Sequence, residues 1–438
     1  MESISKSENL KREIGVRSLT LAIINITIGT GIFVIPAIVA ENLGATALVA
    51  YFVCGALIFL IALCFAELGS MITSSGGAYT YIETAFGPYA GFLANNIYWF
   101  GACVLGDAAI ANALADTMKY FISPLSNEII RVLLFILVFG GLALLNIRSV
   151  KHGVRFVEFT ALGKLLPLIL LVVIGAQSIS SENLIWVTAP TVENIGAASL
   201  LLFFAFMGFE TPLSNGGEMK NARRTVPLGI FFGITSILIL YVGIQLVTQG
   251  VLGDSISVHK DAPLAAVAGN ILGKSGITFI ILATIISMVG ALAGEILSIP
   301  RILYAGARDG LLPKALAKIH PRFFTPYVAV IFYSFLGFFF ATIGGFKQLA
   351  IIASASVLLI YLGAVLSMLK LRTKEKPGIQ KTYRVPGGII IPLLAIGAIV
   401  WLLNSLSKQE IYGILLFIVC FSIIYILRNK SKFIHNKN

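Results

Sequence analysis

Twelve apolar stretches of about twenty residues follow one another along the chain, and a run of that length is what a helix needs to cross the hydrocarbon core of a bilayer. They fall near residues 18–39, 44–68, 88–118, 129–147, 157–177, 195–214, 227–250, 275–300, 326–345, 347–369, 388–405 and 410–427. Lipid offers no partner to backbone N–H and C=O groups, so such runs resolve into spanning helices that bond internally. Composition agrees with this reading. Of the 438 residues 58% are apolar and 12% charged, against about 25% charged in an average soluble chain. The connections hold no soluble insert, and one membrane domain accounts for residues 18–428, with short tails at 1–17 and 429–438.

The formal charge of +12 could signal nucleic acid, anionic lipid or membrane topology, and the positions of the cations decide between them. With the N-terminus inside, 25 of the 32 lysines and arginines lie in the tails or in cytoplasmic loops. Six lie outside, namely Lys119, Arg131, Lys260, Lys274, Lys347 and Lys408. The positive-inside rule then places both termini in the cytoplasm, and the basic surplus reads as topological rather than as a nucleic-acid surface. The remaining cation, Lys164, falls within the fifth span. Cys54, Cys64, Cys103 and Cys420 all lie in apolar runs without metal-ligand spacing, and read as packing residues. The first apolar run is interrupted by Asn25, Thr27 and Gly29-Thr30-Gly31 and precedes no clear cleavage site, so it reads as a retained helix and not a signal peptide.

Two spans carry interruptions in matching places. Span 1 reads Ile23-Ile24-Asn25-Ile26-Thr27-Ile28-Gly29-Thr30-Gly31-Ile32-Phe33, and span 6 reads Phe203-Phe204-Ala205-Phe206-Met207-Gly208-Phe209-Glu210-Thr211-Pro212. Irregular backbone is tolerated at membrane depth only where it is buried or lines a cavity. Breaks five spans apart therefore suggest an inverted repeat of spans 1–5 (about 18–177) and 6–10 (about 195–370), followed by two extra helices at about 388–427. A half-helix starting after Gly29 or Gly208 offers free N–H groups and a positive dipole end to a carboxylate. The carbonyls freed on the opposite stump suit an ammonium. One anion and one cation a few ångströms apart are the two ends of an α-amino acid. The glycines could instead serve only close helix packing.

At this point the chain resembles the amino acid-polyamine-organocation (APC) family. The resemblance rests on Ile28-Gly29-Thr30-Gly31-Ile32-Phe33, on Phe65-Ala66-Glu67-Leu68-Gly69 through Ser74-Ser75-Gly76-Gly77-Ala78-Tyr79, and on Phe206-Met207-Gly208-Phe209-Glu210 with Lys220-Asn221 and Val226-Pro227. Ala307-Arg308-Asp309-Gly310-Leu311-Leu312-Pro313 and Tyr383-Arg384-Val385-Pro386-Gly387 complete the set. The resemblance implies an all-α integral membrane protein of 12 transmembrane helices with the LeuT-like 5+5 inverted repeat, and secondary active transport of amino acids across the plasma membrane. It implies the substrate carboxylate on Gly29, Thr30 and Gly31, and the amino group on carbonyls near Ile28 and from Phe204 through Ala205 to Met207 and Gly208. Phe204 matches an aromatic that closes over substrate in relatives, its alternative being ordinary packing.

Ionisable groups inside a membrane are costly and mark function by default. Lys164, three residues before Pro167, resembles the span-5 lysine that in proton-coupled members occupies a sodium position. Charged, it could bond carbonyls of span 1; neutral, it would let go; its alternative is to snorkel to the interface. Glu210 resembles an acidic position that couples protonation to substrate exchange, or it caps the break. Glu67 and Glu158, near cytoplasmic ends, read as structural. By motif spacing Asp107 and Glu295 fall where arginine/agmatine exchangers of the family place substrate-contacting residues on spans 3 and 8. Two acids there would favour a cationic amino acid, unless they pair with Lys164 or face a water-filled path.

The partners implied are thus an amino acid, a proton as coupling ion and the surrounding lipid, with no cofactor and no nucleic acid; a partner subunit is left open. An enzyme finds no support. The four histidines, His152, His259, His320 and His435, form no HExxH, no Gly-x-Ser-x-Gly elbow occurs, and Gly269 to Ser275 is one residue short of a phosphate loop. A channel lacks its filter loop or charge ring. Proton symport is the expected mode, because Lys164 supplies a titratable group where a sodium ion would sit, with amino acid or polyamine exchange as the alternative.

Overall fold

The computed structural model describes residues 14–73, 77–148, 150–260, 262–308, 312–373 and 383–435. Residues 1–13 and 436–438, Ser74 to Gly76 and Asp309 to Leu311 of the motifs above, Lys374, Lys376 and Lys381, and the side chains of Glu158 and of residues 428–435 lie outside what is described.

The described chain is helical almost throughout, and its one extended pairing is an isolated bridge between Ile14 and Met219. The first apolar run forms two half-helices, α1 (Val16–Thr27) and α2 (Gly31–Leu43), and α3 (Ala47–Met71) follows. The connection expected after α3 contains a short helix of its own, α4 (Ala78–Phe86). Gly87, at φ +93°, then turns the chain into α5 (Pro88–Asn96), whose leading proline has the φ a first helical position needs. From α5 the chain runs without interruption through a π-helical segment at Ile97–Val104 into α6 (Leu105–Met118), one apolar element of 31 residues. Next come α7 (Glu128–Arg148), α8 (Val150–Gly175) and α9 (Val192–Phe206), the last capped by the Thr191 hydroxyl accepting from the Asn194 N–H at 3.2 Å. After α9 the chain leaves the α-helix, re-forms as a 3₁₀ segment at Thr211–Glu218, and enters α10 (Ala222–Leu252).

The helix α11 (Pro263–Arg308) begins well before the expected span and kinks at Gly273, at φ +65°. The stretch Gly269 to Ser275 is therefore a helix with a kink and not a phosphate-cradling loop. The remaining helices are α12 (Tyr327–Ile343), α13 (Phe346–Arg372), α14 (Ile390–Asn404) and α15 (Lys408–His435). Among the described residues seven stretches of helix are long and apolar enough to cross a membrane, and five shorter apolar helices accompany them, α1, α9, α12 and α14 among these.

Packing puts the two interrupted helices at the centre. The helix α2 lies on α9, α1 on α10, α3 on both α9 and α10, α8 on α11, and α13 on α6 and its π-helical lead-in. Small residues set the approach distances, as in membrane bundles generally. A Cβ on Gly290 of α11 would stand 2.3 Å from Thr160 Oγ1 of α8, and one on Gly101 of the π segment 2.4 Å from Ser356 Oγ of α13. The periphery is apolar. Ile129, Leu133, Ile136, Leu137 and Leu144 of α7, and Leu415, Leu416, Val419 and Ile423 of α15, all face outward, as expected where lipid is the solvent.

Candidate functional site

Both interrupted helices break where glycine was expected to break them. In α1 the last regular bond is from the Ile28 N–H to the Ile24 carbonyl at 3.0 Å, and the Gly29 N–H turns back to the Thr27 carbonyl at 2.8 Å. The carbonyl of Asn25, which a continuous helix would offer to Gly29, is thereby released. In the second break Met207 is extended, at ψ 150°, and Gly208 has φ +100°, a conformation that only glycine adopts without strain. Its N–H goes to Glu210 Oε2 at 3.1 Å, and the chain re-forms through a bond from the Thr211 N–H to the Gly208 carbonyl at 3.1 Å.

The two breaks lie against each other. A Cβ on Gly31, the first residue of α2, would sit 2.9 Å from both Cα and Cβ of Ala205 in the last turn of α9. A Cβ on Gly208 would reciprocally come within 3.0 Å of Ile26 Cγ2 in the last turn of α1. Between the stumps stands Tyr241 of α10, fully buried. Its hydroxyl lies within donating distance of the Ala205 carbonyl at 2.8 Å, which its break sets free, and of the Thr27 carbonyl at 3.2 Å, which also accepts the Gly29 N–H.

A cavity of about 280 Å³ opens between these elements, close to the lower end of the roughly 300–1,000 Å³ typical of small-molecule sites. Gly29, Thr30, Gly31, Asp107, Lys164, Phe204, Ala205, Met207, Gly208, Glu210 and Glu295, on five elements far apart in sequence, all stand on its wall. Ile28 does not. It is 1% exposed and packs into the core, because the turn at Gly29 directs the neighbouring glycine and threonine to the cavity instead. Thr30 is the N-cap of α2, 2% exposed, and its hydroxyl makes no cap bond and has no partner among the described residues. A helix N-terminus with its first N–H groups unpaired and a buried free hydroxyl beside them is a site for an anionic ligand group.

Four charged side chains share this wall. Lys164 on α8 is 8% exposed and does not reach the interface; its Nζ donates to the released carbonyl of Asn25. It thus ties α8 to the end of α1 and forms no pair with Asp107 or Glu295. Glu210 caps the second break, its Oε2 accepting from the Gly208 N–H and from the Tyr361 hydroxyl of α13. Asp107 on α6 accepts from the Tyr333 hydroxyl at 2.9 Å, and Glu295 on α11 lies in hydrogen-bonding contact with the Cys103 thiol. Phe204 reaches across the cavity towards Gly106 and meets Phe346 edge-on, with ring centroids 5.8 Å apart.

Glu67 stands apart from the cavity. It is 1% exposed and holds a two-bond ion pair with Arg372 at the end of α13, while also accepting the Val385 N–H at 2.7 Å. The connection after α13 is strapped to α3 by this carboxylate, the structural role expected of it. Cys54 and Cys64 are buried in the core and Cys420 faces outward. Cys103, expected to pack, lines the cavity. Tyr98, Tyr241, Tyr333 and Tyr361 were also not foreseen. Their signal was present but faint, since a tyrosine in an apolar run must find a partner for its hydroxyl. Tyr98 pairs with Thr211 at 3.2 Å. The π-helical segment that carries Tyr98 and Cys103 to the wall has no sequence signature, although such segments are frequent at functional sites.

Among the described residues no group of histidine, cysteine, aspartate and glutamate side chains has the geometry to hold a metal ion. The arrangement pairs an N-terminal helix end with released carbonyls across a small cavity, which can receive a zwitterion between them.

The chain matches the profile of a family described as amino acid permease over residues 14–427. It is 30% identical over 413 residues to the serine/threonine exchanger SteT of Bacillus subtilis (strain 168), covering 92% of each chain. It is 26% identical over 447 residues to the branched-chain amino acid permease BcaP of the same organism, covering 98% of this chain and 95% of that one. Similarity to the b(0,+)-type amino acid transporter 1 of Oryctolagus cuniculus is 28% identity over 390 residues, or 85% and 78% of the two chains.

Proposed function

This chain belongs to the amino acid permease family of APC transporters, and on that premise we propose that it is a secondary active carrier that moves amino acids by alternating access between its two broken helices. It is a multi-pass membrane protein and its substrates are amino acids, as in its relatives. The single observation that carries the proposed site is the N-terminus of α2, where Thr30 keeps a buried hydroxyl unpartnered beside the unpaired N–H groups of the helix start. The substrate carboxylate binds there, with Gly29, Thr30 and Gly31. Its ammonium binds at the released carbonyl ends around Ile26 and from Phe204 to Gly208, and Phe204 closes over it.

The proposed architecture is twelve spans in a 5+5 inverted repeat with two further helices, placed in the plasma membrane with both termini cytoplasmic. The repeat is supported by the contacts themselves. Moving five spans along turns α8 against α11 into α13 against α6 with its π segment, and both pairs close on a glycine facing a hydroxyl, Gly290 with Thr160 and Gly101 with Ser356. Reciprocal contacts at Gly31 and Gly208 support it also. The orientation is supported by the distribution of lysine and arginine.

The proposed coupling ion is a proton. A charged Lys164 holds the end of α1 through the Asn25 carbonyl, and loss of its proton releases that end, so the bundle can rock. Glu210, bonded to the break and to Tyr361, couples its own protonation to the shape of the second break. Asp107 and Glu295 at the side-chain end favour cationic amino acids. Exchange is the second reading, supported by the exchanger among the relatives. The two are separated in proteoliposomes. Lys164→Ala is expected to abolish pH-driven accumulation while counterflow of amino acid persists. Accumulation by this variant that still follows a proton gradient refutes the coupling role, and wild-type uptake that occurs only with internal amino acid selects exchange.

A further inference from the structure

The hydrogen bonds of the cavity divide its charged groups into two kinds. Lys164 and Glu210 are engaged by the breaks, the first with a carbonyl, the second with an N–H and a phenol. Asp107 and Glu295 are left incomplete. Asp107 is 1% exposed, and its Oδ1 has no partner among the described residues; Glu295 Oε2 likewise has none. These acids, on α6 and α11, both stand on the cavity wall and lie within electrostatic reach of each other. The titratable groups around them are Cys103 and Tyr98 from the element leading into α6, Tyr333 from α12 and Glu210 from the second break. None of these can carry a positive charge, and Lys164, the cationic side chain on the wall, is turned to α1.

Two like charges on buried side chains repel with less screening than in bulk water, and each unpartnered oxygen adds the cost of its lost hydration. A cation relieves both. A proton can serve, and so can an ammonium or guanidinium at the end of an amino acid side chain.

We propose that in the empty carrier the Asp107–Glu295 pair holds one proton, and that the side-chain cation of a basic amino acid displaces it. The carboxyl O–H bond breaks, the proton passes to water in the cavity, and the freed carboxylate accepts N–H bonds from the incoming cation, leaving the charge of the pair and its contents unchanged. A neutral amino acid leaves the proton in place. A basic amino acid carried inward is thus matched by a proton returned outward on the pair, and the net charge moved in each cycle is the same for basic and neutral amino acids. This rests on the cavity being an amino acid site, and adds how that site admits a second cation.

The test is calorimetric titration of the purified protein with L-lysine and with L-norleucine, which lacks the ε-amino group, in buffers of different ionisation enthalpy. Binding of lysine is expected to release about one more proton than binding of norleucine, and Glu295→Gln, which removes the like-charge partner, is expected to shrink that difference. Equal proton counts for the two ligands in the wild-type protein overturn the proposal, as does binding of norleucine without binding of lysine. Binding of neither overturns the amino acid site itself, and the proposal with it.

Discussion

Replacing Gly31 by alanine tests whether the two breaks must touch. The added methyl carbon would lie 2.9 Å from both Cα and Cβ of Ala205, where carbon atoms rest at about 3.5–4.0 Å. Neither opposing atom can turn away, since one is backbone and the other is fixed to it, so α2 and α9 must separate by roughly 0.5–1 Å. Overpacking of this kind costs about 1–3 kcal/mol, which is roughly a 5- to 150-fold loss in an equilibrium constant. The separation falls at the start of α2, where the carboxylate is proposed to bind, so the loss is expected in amino acid affinity as well as in thermal stability. Scintillation proximity binding on the purified protein measures the first, and a thermal-unfolding assay in the same detergent the second. Ala205→Gly in the Gly31→Ala background removes one of the two clashes and is expected to restore part of the affinity, a coupling that independent sites do not show. Wild-type affinity in Gly31→Ala alone would refute the close approach and the site built on it.

Two further outcomes follow from the same geometry. Tyr241→Phe removes the hydroxyl that lies between the Thr27 and Ala205 carbonyls and takes its donor from the buried Ala205 carbonyl, while Thr27 keeps the Gly29 N–H, at a cost of about 1–3 kcal/mol; a melting temperature and uptake rate equal to wild type would show that the hydroxyl does not hold the stumps. Cys103 is the cysteine on the cavity wall, while Cys54 and Cys64 are sealed in the core. In a Cys420→Ser background a small water-soluble thiol reagent is expected to label Cys103, and saturating amino acid to suppress the labelling; labelling indifferent to amino acid would place the ligand elsewhere.

The helices were legible because lipid leaves the backbone few choices. The run at 88–118 was read to the residue, and the limits of α7 and α12 to within two. The breaks at Gly29 and Gly208 were legible for the same reason, since a glycine cluster or a Gly-Glu-Thr-Pro run in lipid must lead somewhere polar. What escaped was whatever depends on the approach of distant elements. Tyr241 gives no sign in the sequence that it faces the Thr27 and Ala205 carbonyls, because the two come together only once α1 and α9 have both ended. Ile28 enters through its carbonyl, as the family resemblance implies, while its side chain packs into the core beside the turn to the Thr27 carbonyl. Cys103 resembles its buried counterparts in composition, and only the π-helical segment turns it to the cavity. The early start of α11 was hidden by Gly273 and Lys274, which read as a loop and form a kink.

The most direct measurement is a cryo-electron microscopy structure of the protein with the amino acid that stabilises it most in a thermal-shift screen. Density is expected between the two breaks, with a carboxylate within about 3 Å of the N–H groups that open α2 and an ammonium facing the last turns of α1 and α9. An amino acid bound away from Thr30, or helices running unbroken through Gly29 and Gly208 when it is bound, would contradict it.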